Sequence, residues 1–193
     1  TIYREMKDTG KLIAPVADWQ TKRRWVREAF AALESAGYTV GSGYTAVKDP
    51  SKSKFIYRDA LWGGADLLGL GVASFSHAAG VHYQNLTEID DYTAVIKAGE
   101  MPTKRSFRTT EEQRMIREFI LRMKLGRVDA GHFGSKYGVD VLARWEDELN
   151  ELTEEGLLTV VGKDIVLERD GLLCVDNILH DFFLPEHRTN KLV

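Results

Sequence analysis

Apolar positions recur at helical spacing in the second half of the chain and gather between glycines in the first. Met115, Ile116, Phe119, Ile120 and Met123 fall on one side of a helix. Thr110-Glu-Glu-Gln113 just before them matches a capping box, and Gly126 stops the run. Asp129 opens a short helix through Phe133 and Tyr137 that ends at Gly138. Asp140 opens another, with Val141, Leu142, Trp145, Leu149 and Leu152 facing inward, ending at Gly156. Two short apolar runs, 157–161 and 165–167, flank Gly162-Lys-Asp164, a hairpin signal. A last helix is predicted over 172–183. This order of helices and hairpin is winged-helix-like.

In the first half, Asp18 caps a helix to Ala36 with Trp25, Ala29, Phe30, Ala32 and Leu33 on its apolar face. Residues 38–47 read as a strand containing two glycines, and 48–54 as a polar loop. Residues 55–61 read as a short extended segment, followed by a Gly63-Gly64 turn. In Asp66-Leu-Leu-Gly-Leu-Gly-Val-Ala-Ser-Phe-Ser76, the leucines are too continuous for a half-solvated strand. They suit a parallel strand covered on both faces, broken at Gly69 and Gly71. Ligands lie at the carboxyl ends of such strands, which marks this segment as a candidate site. A short helix over 89–98 follows. The domain boundary is expected near 100–108, giving portions 1–105 and 106–193.

Composition fits a folded domain: 44% hydrophobic, 28% charged, with no apolar run near 18 residues to cross a membrane. A net charge of −3 argues against a broad electrostatic grip on nucleic acid. The helix opened by Asp140 carries Glu146, Asp147, Glu148, Glu151, Glu154 and Glu155 against Arg144, which unfits it for a major groove. The single cysteine, Cys174, excludes an internal disulfide and points to a reducing, cytoplasmic setting. There is no Walker A loop, no G-x-S-x-G and no H-E-x-x-H, so no catalytic residue and no metal ligand is assigned. His77 and His82 share one loop, but their spacing favours hydrogen-bonding roles over ligation.

The segment 66–76, with Tyr83-Gln-Asn85 after it, resembles the late part of the oxygen-independent coproporphyrinogen III oxidase family. Ala32-Leu-Glu-Ser-Ala-Gly-Tyr38 and the tail over 149–158 and 165–173 are similar in the same order. The likeness runs from Trp25 to Leu184. These are radical SAM proteins, whose superfamily also includes haem chaperones and methyltransferases. The resemblance implies α/β architecture, late strands of a partial radical SAM barrel followed by an α-rich C-terminal domain. It implies oxidative decarboxylation of a porphyrinogen in haem biosynthesis as the function of the whole. The family's C-x₃-C-x₂-C loop, which holds a [4Fe–4S] cluster, has no counterpart here, and one thiolate cannot hold such a cluster. The chain is therefore expected to be the C-terminal portion of a longer protein, or a relative lacking the cluster half. On that expectation SAM and the cluster belong to the full-length parent, and this chain alone holds neither. A haem-binding chaperone or a radical SAM methyltransferase of the same superfamily, and a winged-helix binding module, are the alternatives.

By residue match, the resemblance puts Gly71, Ala73, Phe75 and Ser76 near SAM, with Gly69 letting the ligand approach. Asn85 matches the end of the family's loop; its other reading is a cap for the helix after Thr87. Tyr44, after Gly41-Ser-Gly43, is a candidate for the pocket wall. Arg58 stands where the family carries a basic residue, and its guanidinium suits a tetrapyrrole propionate. A tetrapyrrole-type substrate and the upstream half of the same protein are thus the expected partners, with neither nucleic acid nor membrane.

Overall fold

The computed structural model describes Met6, residues 8–11 and residues 16–190 of the chain. Helix α1 (Trp19–Ser35) starts at Asp18, whose carboxylate accepts the Thr21 N–H at 2.7 Å. Of its expected apolar face only Phe30 is buried; Trp25 is 54% exposed. A hairpin follows, β1 (Thr39–Ser42) against β2 (Thr45–Val47), antiparallel. Residues 55–61, expected to be extended, instead form most of α2 (Ile56–Trp62). One helical turn lets Phe55, Arg58 and Trp62 stack on one side, which an extended segment cannot do.

The glycine-rich segment is the main departure from expectation. Residues 66–73 hold no strand beyond a single antiparallel bridge from Leu67 to His77. Leu68 and Leu70 face solvent, at 67% and 88% exposure, so the leucine run is no buried strand. The strands come later: β3 (Phe75–Ala78), β4 (Val81–Asn85) and, after helix α3 (Ile89–Lys97), β5 (Thr103–Arg108). They form an antiparallel sheet in the order β3-β4-β5. The expected parallel strands are therefore corrected to antiparallel ones. The physical reason is the tight Ala79-Gly80 turn, both residues at positive φ, which joins β3 to β4 as a hairpin.

Helix α4 (Glu111–Met123) carries the core. Its capping box forms as read: Thr110 Oγ1 accepts the Gln113 N–H and Gln113 Oε1 accepts the Thr110 N–H. Phe119 is fully buried, with ring centroids 4.3 Å from Trp145, 5.1 Å from Phe182 and 5.5 Å from Phe133. Aromatic clusters of this kind gain about 1 kcal/mol per pair beyond area burial. Around α4 lie β6 (Arg127–Asp129), α5 (Ala130–Tyr137), α6 (Val141–Arg144) and α7 (Glu146–Glu154). The helix expected over 140–155 is broken at Trp145, whose backbone leaves the helical region as its ring turns onto Phe119. Strands β7 (Leu158–Val161) and β8 (Asp164–Leu167) form the hairpin at Gly162, and β8 also pairs with β6. The last helix is likewise divided, into α8 (Arg169–Leu173), α9 (Val175–Ile178) and a 3₁₀ turn (Leu179–Phe182). The whole is a mixed α/β fold, and all strand pairs among the described residues are antiparallel.

Candidate functional site

The segment before β3 is a turn held by side chains from β3, β4 and α3. Leu67 exchanges both backbone hydrogen bonds with His77. The Gly69 N–H then donates to Ser76 Oγ at 3.0 Å, and the Gly71 N–H to the Tyr92 hydroxyl at 3.1 Å. Asn85 Nδ2 donates to the carbonyls of both Gly69 (3.0 Å) and Gly71 (2.9 Å). Ser74 Oγ donates to the Leu70 carbonyl, closing the tip. Ser76 and Asn85 are buried, so these bonds are shielded from water and leaving one unmade is costly.

Each candidate in the turn has a definite place. At Gly69, a Cβ would lie 2.4 Å from the Phe75 carbonyl oxygen, so the chain's own backbone accounts for this glycine. Gly71 sits at φ 91°, where a Cβ would meet only Ser74 Oγ at van der Waals distance, and Ala73 at φ 59°. Asn85 does not cap the helix after Thr87; its amide organises the glycine turn. Phe75 projects to the other face of β3, stacked on His82 at 5.6 Å with Arg105 over its ring.

Tyr44 and Arg58 gather elsewhere, around Trp62. Tyr44 meets the Trp62 ring edge-on at 5.7 Å and donates its hydroxyl to Asp176 at 2.7 Å. Burial, and then the Asp176 carboxylate, push the tyrosine pKa up. Arg58 lies between the rings of Phe55 and Trp62 and pairs with Asp59 at 2.6 Å. It also donates to Ser42 and Thr45. Its donors are thus engaged within the chain. Tyr44 lines a cleft with Leu172 and Phe183, whereas Phe75 lines a groove with His82 and Arg105.

Sequence reasoning missed Glu118. Its carboxylate is 3% exposed and receives Arg122 (2.8 Å), His132 Nε2 (2.7 Å), Lys136 (2.6 Å) and the Tyr137 hydroxyl (2.8 Å). Burial alone would raise its pKa. The bonds from Lys136, Tyr137, Arg122 and His132 outweigh that and hold it at about 2. Arg122 also donates to the Gly63 carbonyl, and a Cβ on Gly64 would strike the Glu118 carboxyl carbon at 2.7 Å. Glu118 therefore anchors the turn that leads into the glycine segment. The spacing of Glu118 and Arg122 was the one visible signal, and it reads equally as an ordinary surface pair.

Cys174 is half-buried, its thiol pKa raised chiefly by burial, and it donates to the Asp170 carbonyl at 3.1 Å. One such thiol does not fit a four-iron cluster. Among the described residues, no group of three His, Cys, Asp or Glu side chains is placed to hold a metal ion.

Comparison with known proteins adds a finding independent of these contacts. A curated oxygen-independent coproporphyrinogen III oxidase from Pseudomonas aeruginosa is 26% identical over 132 residues, 64% of this chain. This chain resembles that oxidase. The match spans 28% of the curated relative's length, less than a third. A solved structure of coproporphyrinogen III oxidase from Escherichia coli, described as a radical SAM enzyme, superposes with a TM-score of 0.66. That superposition covers 89% of this chain and 43% of the other at 22% identity, a likeness of fold. No family model matches the chain. No helix among the described residues is long and apolar enough to cross a membrane.

Proposed function

We propose that this chain is the C-terminal portion of a radical SAM oxidoreductase that decarboxylates a porphyrinogen-type substrate oxidatively. The observation that carries this reading is the 132-residue match to a curated coproporphyrinogen oxidase. The pinned turn at Gly69–Ser76 supports it as well. Asn85 and Tyr92 fix its backbone in advance, which is what a surface shaping a cofactor site needs. In the parent protein, SAM and the cluster supply the radical chemistry. This chain contributes the walls: Gly71, Ala73 and Phe75 toward SAM, with residues 106–193 as a helical domain beside them. Its single cysteine leaves the cluster to the upstream half, and no step of the reaction is assigned to a side chain here.

The test is anaerobic turnover by the parent polypeptide, following 5′-deoxyadenosine and decarboxylated product together. Both are expected to form. Phe75→Ala should raise the KM for SAM without moving the thermal midpoint, because Phe75 is half-exposed and outside the core. Cys174→Ser should leave iron content unchanged. Absence of SAM cleavage, or loss of iron on Cys174→Ser, would overturn the reading.

A further inference from the structure

The β3-β4-β5 sheet carries rings on one face. His77, His82 and Phe107 are cross-strand neighbours there, since His77 pairs with His82 and His82 with Phe107. Opposite them, α4 presents Ile116 and Ile120. Between ring wall and aliphatic wall lies a cavity of about 390 Å³, which Phe183 and Leu184 also line. That volume falls in the range of small-molecule sites, and an apolar slot with a few polar groups is their usual make-up.

Two polar groups in this slot are unanswered. His77 is 7% exposed, and its buried Nδ1 has no hydrogen-bond partner. Buried ring nitrogens are normally bonded, so an orphan here calls for an explanation. Arg117, from α4, reaches the same wall with its guanidinium half-buried. Among the described residues no hydrogen bond and no ion pair answers it. Glu118 next to it is fully engaged by Arg122, Lys136, His132 and Tyr137. Asp66 and Glu118 act on this cation from a distance, yet neither bonds it, so its fork is left open, and a carboxylate is the group a guanidinium fork fits best.

We propose that this cavity binds a small planar aromatic carboxylate, its ring between His82, Phe107 and Ile120 and its carboxylate on Arg117 with His77 beside it. The inference does not rest on the radical SAM reading: it uses neither Gly71 nor Ala73, and Phe75, which shares this face of β3, lines the neighbouring groove with Arg105 and not this cavity. Flatness follows from the slot between a sheet face and a helix. Negative charge follows from Arg117. The aromatic class follows from the three rings on one wall, where offset stacking is favourable.

The probe is indole-3-acetate, titrated calorimetrically into this chain, with indole-3-acetamide as its uncharged counterpart. The acid is expected to bind at least tenfold more tightly than the amide. Arg117→Gln should remove that preference, because it keeps a donor and deletes the charge. Ile120→Trp, which fills the slot, should abolish binding of both compounds. Circular dichroism confirms that each variant stays folded. Equal affinity for acid and amide, an Arg117→Gln variant that still prefers the acid, or no binding at millimolar concentration would overturn the proposal.

Discussion

At the scale of single residues, this chain depends on a few positions where no side chain, or only one charge state, is tolerated. Gly171 is the most demanding. A Cβ there would lie 1.9 Å from the Leu157 carbonyl oxygen, a backbone atom that cannot swing aside. Gly71 meets only Ser74 Oγ at 3.9 Å and needs glycine for its φ of 91°. Gly171→Ala should therefore cost about 3 kcal/mol or more, as overpacked core sites do. Gly71→Ala should cost about 1 kcal/mol from backbone strain. Urea midpoints of the two variants separate these outcomes. Glu118 sets a pH dependence. Its carboxylate titrates near 2 in the folded state against 4.5 in the unfolded chain, so its stabilisation is complete above pH 4.5. That stabilisation is lost as pH falls from 4.5 toward 2, a difference of about 3 kcal/mol by linkage. Glu118→Gln should lower the thermal midpoint at pH 7 and flatten its decline over that acid window.

At the scale of elements, the glycine turn is built by one amide. Asn85→Ala removes two part-buried hydrogen bonds, to the carbonyls of Gly69 and Gly71, and should loosen the turn by about 2 kcal/mol. Hydrogen exchange at the Gly69 and Gly71 amides should accelerate, while the β7-β8 hairpin stays protected. Uniform acceleration would mean that the turn and core open together. The helices of the second half were legible because their signals are local. Thr110, Asp129 and Asp140 each bond to an amide within a few residues, whatever the rest of the chain does. The strands were less legible because their partners are distant. Nothing in Leu67–Leu70 reveals that Leu68 and Leu70 point outward, since apolar runs are the same in a buried strand and an exposed turn. The break at Trp145 was equally hidden: helical spacing places the ring inward, and only the Phe119 contact turns the backbone.

At the scale of the whole molecule, α1 and the β1-β2 hairpin dock on α8 and α9. Phe30 is buried with Arg169 over its ring, and Gly43 packs against the Leu172 carbonyl. Arg27 pairs with Asp170, Arg169 with Glu34, and Tyr44 with Asp176. The two arginine ion pairs are exposed enough that water and salt weaken them, so packing at Phe30 and Gly43 fixes the position. More than a hundred residues separate these partners along the chain, which is why no sequence pattern announced them. The same holds for Glu118, whose burial comes from α5 and the Gly63-Gly64 turn rather than from its own helix.

Strand β5 is exposed along its whole length and ends the sheet on that side. A free strand edge is a template on which a second chain can polymerise. Here the edge reads Thr-Lys-Arg-Ser-Phe-Arg, so any copy approaching in register brings cation onto cation. These charges act as colloidal guards: they keep an adhesive edge soluble without adding stability to the monomer. Lys104→Thr combined with Arg108→Val should leave the thermal midpoint nearly unchanged and raise light scattering over hours of incubation. Lys97→Thr combined with Lys54→Thr, an equal loss of two charges away from this edge, should not. Scattering that rises equally in both variants would trace the effect to net charge rather than to this edge.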